Sequence, residues 1–169
     1  MNRDNKKSRG LKARSIISAM AQSLAFLLVH IIFSTKNRAP VLEEALLPEL
    51  FAYLATVARN DGSVCYRVGG VADHVHLAIR LSRTANISGL IGELKSSSSQ
   101  WLKGRVPELS EFAWQRGYGA FSVGPADLNA LIAYIDAQKE HHAKQDFQDE
   151  FRAFLRKYGV EFDERYVWD

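Results

Sequence analysis

The strongest constraint on the fold is a strict two-residue alternation over His74–Leu81, within the stretch DHVHLAIRL. An extended strand sends successive side chains to opposite faces, so Val75, Leu77, Ile79 and Leu81 share one face and suit a core. His74, His76, Ala78 and Arg80 share the other. The two imidazoles then stand about 7 Å apart along the backbone. From such positions both can converge on one metal ion, although a structural pair hydrogen-bonded within a strand reads the same way in isolation.

The flanking segments supply partners for that strand. With 169 residues, one domain with a full core is the expectation. Residues 23–35 (SLAFLLVHIIFST here from 23) read as a buried strand. Apolar residues at 42, 46, 47, 50, 51, 54, 57 and 58 have a helical period, with Pro40 in the first turn, Pro48 as a kink and Asp61-Gly62 as the stop. SVCYRVGGV reads as a strand joined by a glycine-containing turn to the histidine strand. NISGLIGELKSSSSQWLKGR reads as a helix whose serine run forms a polar or closely packed face, and YGAFSVG as a short strand. Pro125 opens a long helix, PADLNALIAYIDAQKEHH, and DFQDEFRAFLRKYG forms a last helix closed by Gly159. The order β-α-β-β-α-β-α-α predicts an α+β fold: a ferredoxin-like antiparallel sheet with helices packed against it and a helical C-terminal part carrying Tyr134.

Composition excludes several classes. A single cysteine, Cys65, rules out an internal disulfide and every multi-cysteine zinc motif, leaving nitrogen and oxygen as metal ligands. The net charge of +3 is concentrated in residues 1–14, which carry +5. Residues 1–19 therefore read as a basic, disordered extension, or as an upstream segment if Met20 is the working start, and residues 20–169 as the single domain. The apolar run LAFLLVHIIF contains His30 and is too short for a membrane span.

The long helix carries the remaining chemistry. Leu128, Leu131, Ile132 and Ile135 make its core stripe, while Tyr134, Gln138 and His141 form a second stripe with His142 adjacent. If this helix crosses the His74/His76 face, a phenol and a carboxamide meet the two imidazoles. Those three ligands are neutral, so a divalent cation keeps its charge for an anionic substrate such as a phosphate. A phenol, with a pKa of about 10, is a poor nucleophile at neutral pH. Its use makes sense where a covalent intermediate must be kept, as when a DNA phosphodiester is cut and later resealed.

DHVHLAI followed by AYIDAQKEHH resembles the single-tyrosine transposases of the HUH superfamily (histidine, hydrophobe, histidine), both the small bacterial insertion-sequence type and its repetitive-palindrome-associated relatives. The resemblance runs from about Met20 to Trp168 and includes SLAFLLVHIIFSTKNR, FAWQRGYGAFSV and EFDERYVWD. It implies Tyr134 as nucleophile and His74, His76 and Gln138 as ligands of Mg2+ or Mn2+, with manganese better suited to imidazole. It further implies cleavage of single-stranded DNA through a 5′-phosphotyrosine, followed by strand transfer. A homodimer, recognition of hairpins and a cytoplasmic, nucleoid-associated location come with the family. Whether the tyrosine helix serves its own subunit or its partner stays open.

Several residues have both a functional and a structural reading. His141 and His142 are either neighbours of the metal ligands or polar residues favoured at a helix end, the latter preferred. His30 is expected to face a sheet neighbour. Between Arg80 and Arg116 the local charge is +3, so Arg80, Arg83, Lys95, Lys103 and Arg105 are candidate phosphate contacts. Trp101 and Tyr118 are candidate stacking platforms for bases, whereas Trp114 and Phe121 are expected in the core. Rival functions are a domesticated nuclease of palindromic repeats, a replication-initiator-like nickase, a non-catalytic DNA-hairpin-binding protein, and a metal-dependent phosphoesterase that uses water.

Overall fold

The computed structural model describes residues 24–142, 146–165 and 167–168. Among the described residues, four strands and five α-helices follow the order β1 (Leu28–Ser34), α1 (Leu47–Asn60), β2 (Val64–Val71), β3 (His74–Arg80), α2 (Ile87–Arg105), β4 (Gly119–Val123), α3 (Leu128–Asp136), α4 (Gln138–His142) and α5 (Phe147–Lys157). The sheet order is β2-β3-β1-β4, and every neighbouring pair is antiparallel. This is the ferredoxin-like α+β arrangement that the element order predicts. Among the described residues, no helix is long and apolar enough to cross a membrane.

The period-two pattern of β3 divides the molecule. Val75, Leu77 and Ile79 join Val29, Ile31 and Phe33 of β1 in the main core, against Leu50 and Leu54 of α1 and Leu90 and Leu94 of α2. The opposite face is also covered. Ile32 and Phe121 pack with Phe147, Phe151 and Leu155 of α5, while Ala78 packs with Leu131 and Ile135 of α3. His74 and His76 lie on this second face and are fully buried.

Three expectations about boundaries need correction. The first helix begins at Leu47, not near Pro40, and Pro48 occupies its first turn instead of kinking it. A proline there needs no N–H partner, whereas inside a helix its ring would strike the preceding turn. The strand expected from residue 23 starts its ladder at Leu28, where its partners Arg80 and Val123 end. The helix expected to continue to His142 breaks at Ala137, whose φ/ψ of −89°/10° leaves the helical basin. No proline or glycine marks that break. Gln138 beyond it is 1% exposed and bonded to buried partners, which offsets the interrupted helix.

Two glycines bring helices down onto the histidine face. Gly69 of β2 pairs with His76, and a Cβ there would lie 2.6 Å from Ile135 Cγ2 and 2.7 Å from Ile135 O. Only a bare backbone lets α3 approach so closely. Gly119 of β4 does the same for α5, since its Cβ would lie 2.6 Å from the Phe151 ring.

Candidate active site

Four side chains converge on the second face of the sheet. His74 Nδ1 lies 2.8 Å from Asp73 Oδ1. A carboxylate oxygen only accepts, so Nδ1 carries a proton, and in the neutral ring Nε2 is the atom left with an inward lone pair. That Nε2 is 3.3 Å from Gln138 Oε1 and 3.8 Å from Glu150 Oε2. His76 Nε2 is 3.7 Å from the same Glu150 oxygen. Ligand atoms of His74, His76 and Glu150 all lie within 4.8 Å of one another.

His76 is oriented from behind by His30, whose Nε2 is 3.0 Å from His76 Nδ1. Burial, with Lys157 nearby adding to it, pushes His30 down to about 3. His30 is therefore neutral near pH 7 and its Nε2 can accept from His76 Nδ1–H. In that arrangement His76 Nε2 is the lone-pair atom, matching His74. Fixing a ligand imidazole through its second nitrogen is the usual way a metal site sets tautomer and ring direction.

The motifs that single out Tyr134, His74, His76 and Gln138 do not include Glu150. It lies on α5 among the buried positions Phe147, Phe151 and Leu155, so a carboxylate interrupts an otherwise apolar stripe. That interruption was the available signal, because a buried acid is rare without a partner or a metal. Glu150 Oε1 accepts from Gln138 Nε2 at 3.1 Å, while the buried Oε2 has no hydrogen-bond partner among the described residues. Burial pushes its carboxyl up to about 7; neighbouring Asp73 adds to this and His74 opposes it. The donor set thus fits a divalent cation, with an acid added to the neutral trio expected from the sequence.

Tyr134 belongs to α3 and stands edge-on to His76, ring centroids 5.8 Å apart, and 6.0 Å from His30. It is on the histidine face and half-buried, with Phe154 of α5 at 5.9 Å. Gln138, on α4, lies against His74 and Glu150, whereas Tyr134, on α3, lies beside the cluster with its ring against His76 and His30. The side chains of His141 and His142 lie outside the described residues, as do residues 1–23.

The candidate DNA contacts on α2 lie across the sheet from this centre, on the helix that packs against the main core. Lys95 Nζ donates to the carbonyls of Gln115, Arg116 and Gly117 at 2.9, 3.2 and 2.6 Å, tying down a loop. Trp101 stacks on Tyr53 at 5.2 Å, and Arg105 pairs with Glu49. Lys103 is exposed on the same helix. Arg80 lies over the Phe26 ring, and Arg83 lines a surface hollow beyond β3. Tyr118 is 40% exposed beside Lys95. Trp114 and Phe121 are buried.

Comparison with known proteins bears on the family and the fold. A family model described as "Transposase IS200 like" matches residues 23–138. A crystal structure of a candidate transposase from Deinococcus radiodurans R1 superposes with a TM-score of 0.55 at 22% identity, covering 79% of this chain and 98% of that one. A REP-associated tyrosine transposase bound to a REP hairpin superposes with a TM-score of 0.53 at 15% identity, covering 73% of this chain and 74% of that one. No curated protein matches the sequence.

Proposed function

The chain belongs to the IS200-like transposase family, and from that premise we propose that it cuts and rejoins single-stranded DNA through a phosphotyrosine formed on Tyr134. Supporting this is the approach of the Tyr134 ring to 5.8 Å from His76, on the face where two imidazoles, Gln138 and Glu150 converge. His74, His76, Gln138 and Glu150 would hold Mn2+ or Mg2+. Such a cation would polarise the phosphodiester and offset the charge developing on it.

The chain's own groups do the rest. Tyr134 Oη bonds to phosphorus as the bond to the 3′ oxygen breaks, and the phenolic proton ends on the released 3′ hydroxyl. The 5′ phosphate stays on the enzyme. A second 3′ hydroxyl reverses the step, so resealing needs no nucleotide cofactor. Asp73 and His30 hold His74 and His76 in the tautomers that point both Nε2 atoms inward. Helix α5, packed on this face, keeps bulk water from competing with the strand as acceptor.

By analogy with the hairpin-bound neighbour, the substrate is a strand with a hairpin beside the cleavage point. We extend the proposal to a homodimer acting at the nucleoid. The test is to incubate the protein with labelled single-stranded DNA from its own genomic flanks plus manganese, then run a denaturing gel. A covalent adduct is expected, absent in Tyr134→Phe and His74→Ala. Cleavage without adduct would favour a water-using phosphoesterase, and binding without cleavage a hairpin-binding protein.

A further inference from the structure

A cavity of about 500 Å³ lies against Tyr134, between α3, the end of β4 and the last turn of α5. His74, His76, Gln138 and Glu150 do not line it, so it adjoins the metal-ligand cluster without being part of it. We propose that this cavity is a single-nucleotide subsite, which takes one unpaired base next to the phosphate attacked by Tyr134 and so helps to set the cleavage sequence. The inference rests on Tyr134 being the nucleophile.

Four observations carry it. The volume lies within the ~300–1,000 Å³ typical of small-molecule sites, and Tyr134 itself forms part of the wall. Phe154 and Tyr158 supply aromatic surface, which binds bases of any sequence by stacking. Tyr158 is held ready for this: one ring face stacks on Phe121 at 4.9 Å, its hydroxyl donates to Ser122 O at 2.8 Å, and the residue is still 36% exposed. Lys157, whose Nζ is 5.7 Å from the Tyr158 ring, places a cation at the same wall for the strand's phosphate.

The third wall supplies polar groups. Among the described residues β4 is the edge of the sheet, pairing only with β1. In an antiparallel pair the N–H and C=O of one residue point to the same side. Since Ser122 O receives Tyr158 from the open side, the Ser122 N–H also faces outward, toward the cavity and not β1. Backbone groups at this edge can therefore read the base that the rings stack.

The test uses the full chain in EDTA, titrated into short single-stranded oligonucleotides of mixed sequence carrying 2-aminopurine, whose fluorescence is quenched by stacking. Saturable quenching is expected. Tyr158→Ala should lose it and weaken binding about tenfold, whereas Tyr158→Phe should keep it. Lys157→Gln should weaken binding and flatten its dependence on salt. Ala130→Leu fills the cavity from an exposed position on α3 and serves even if Tyr158→Ala does not fold. It too should abolish quenching. Unchanged quenching and affinity in Tyr158→Ala and Ala130→Leu would overturn the subsite while leaving the phosphotyrosine reading intact. Quenching that depends on the cavity, with no adduct formed in manganese, would instead overturn its placement beside a scissile phosphate.

Discussion

Replacing Glu150 by glutamine should stabilise the metal-free protein and weaken the metal-loaded one. The carboxyl is buried, with 11% of the side chain exposed, and its pKa rises from 4.5 to about 7. The folded state thus holds this proton more tightly than the unfolded chain does. Stability from the group is complete below pH 4.5, declines as pH rises toward 7, and levels off above. At ~1.4 kcal/mol per pKa unit, the fully charged carboxylate costs roughly 3 kcal/mol of folding stability. Glu150→Gln removes the charge but keeps an oxygen to accept from Gln138 Nε2. Urea unfolding followed by tryptophan fluorescence in EDTA should show the variant more stable by about 3 kcal/mol at pH 8. At pH 5 the difference should fall below about 1 kcal/mol, because the wild-type carboxyl is then mostly protonated. Added manganese should reverse the order at pH 8, since a cation bound only by the folded state stabilises the protein with the tighter site. A variant less stable than wild type at pH 8 in EDTA, and unaffected by manganese, would refute both the electrostatics and the ligand role.

Other consequences can be measured separately. Gly69→Ala forces α3 away from β2, and an ångström-scale displacement of Tyr134 should slow single-turnover adduct formation about a hundredfold while circular dichroism shows the fold retained. His30→Phe removes the acceptor behind His76, so manganese affinity by isothermal titration should fall ten- to a hundredfold. Lys95→Gln should lower stability by roughly 1–3 kcal/mol, because three loop carbonyls lose a charged donor. Its effect on the salt dependence of DNA binding should be negligible, in contrast to a residue that contacts phosphate.

The alternation in His74–Leu81 predicted the sheet face of each residue, because a strand's two-residue period is rigid and one set was uniformly apolar. The order of elements predicted the sheet topology for a similar reason. Tyr134 and Gln138 were legible as a helical spacing, although the break at Ala137 was not, since no helix-breaking residue signals it and the cause is tertiary burial of Gln138. Glu150 stayed hidden because acids on an amphipathic helix normally face solvent; only its position among Phe147, Phe151 and Leu155 marks it as inward. The basic residues of α2 illustrate the opposite limit. Their charge is visible in sequence, but whether an ammonium faces DNA or caps a loop, as Lys95 does, depends on distant backbone.

Covalent capture tests the mechanism most directly. Protein incubated with manganese and its single-stranded substrate is digested with nuclease and protease, and the nucleotide-bearing peptide is sequenced by tandem mass spectrometry. The expected product is a 5′-phosphonucleotide on Tyr134, formed only when His74 and His76 are intact. Efficient strand cleavage with Tyr134 unmodified, or with the nucleotide on another side chain, would contradict it.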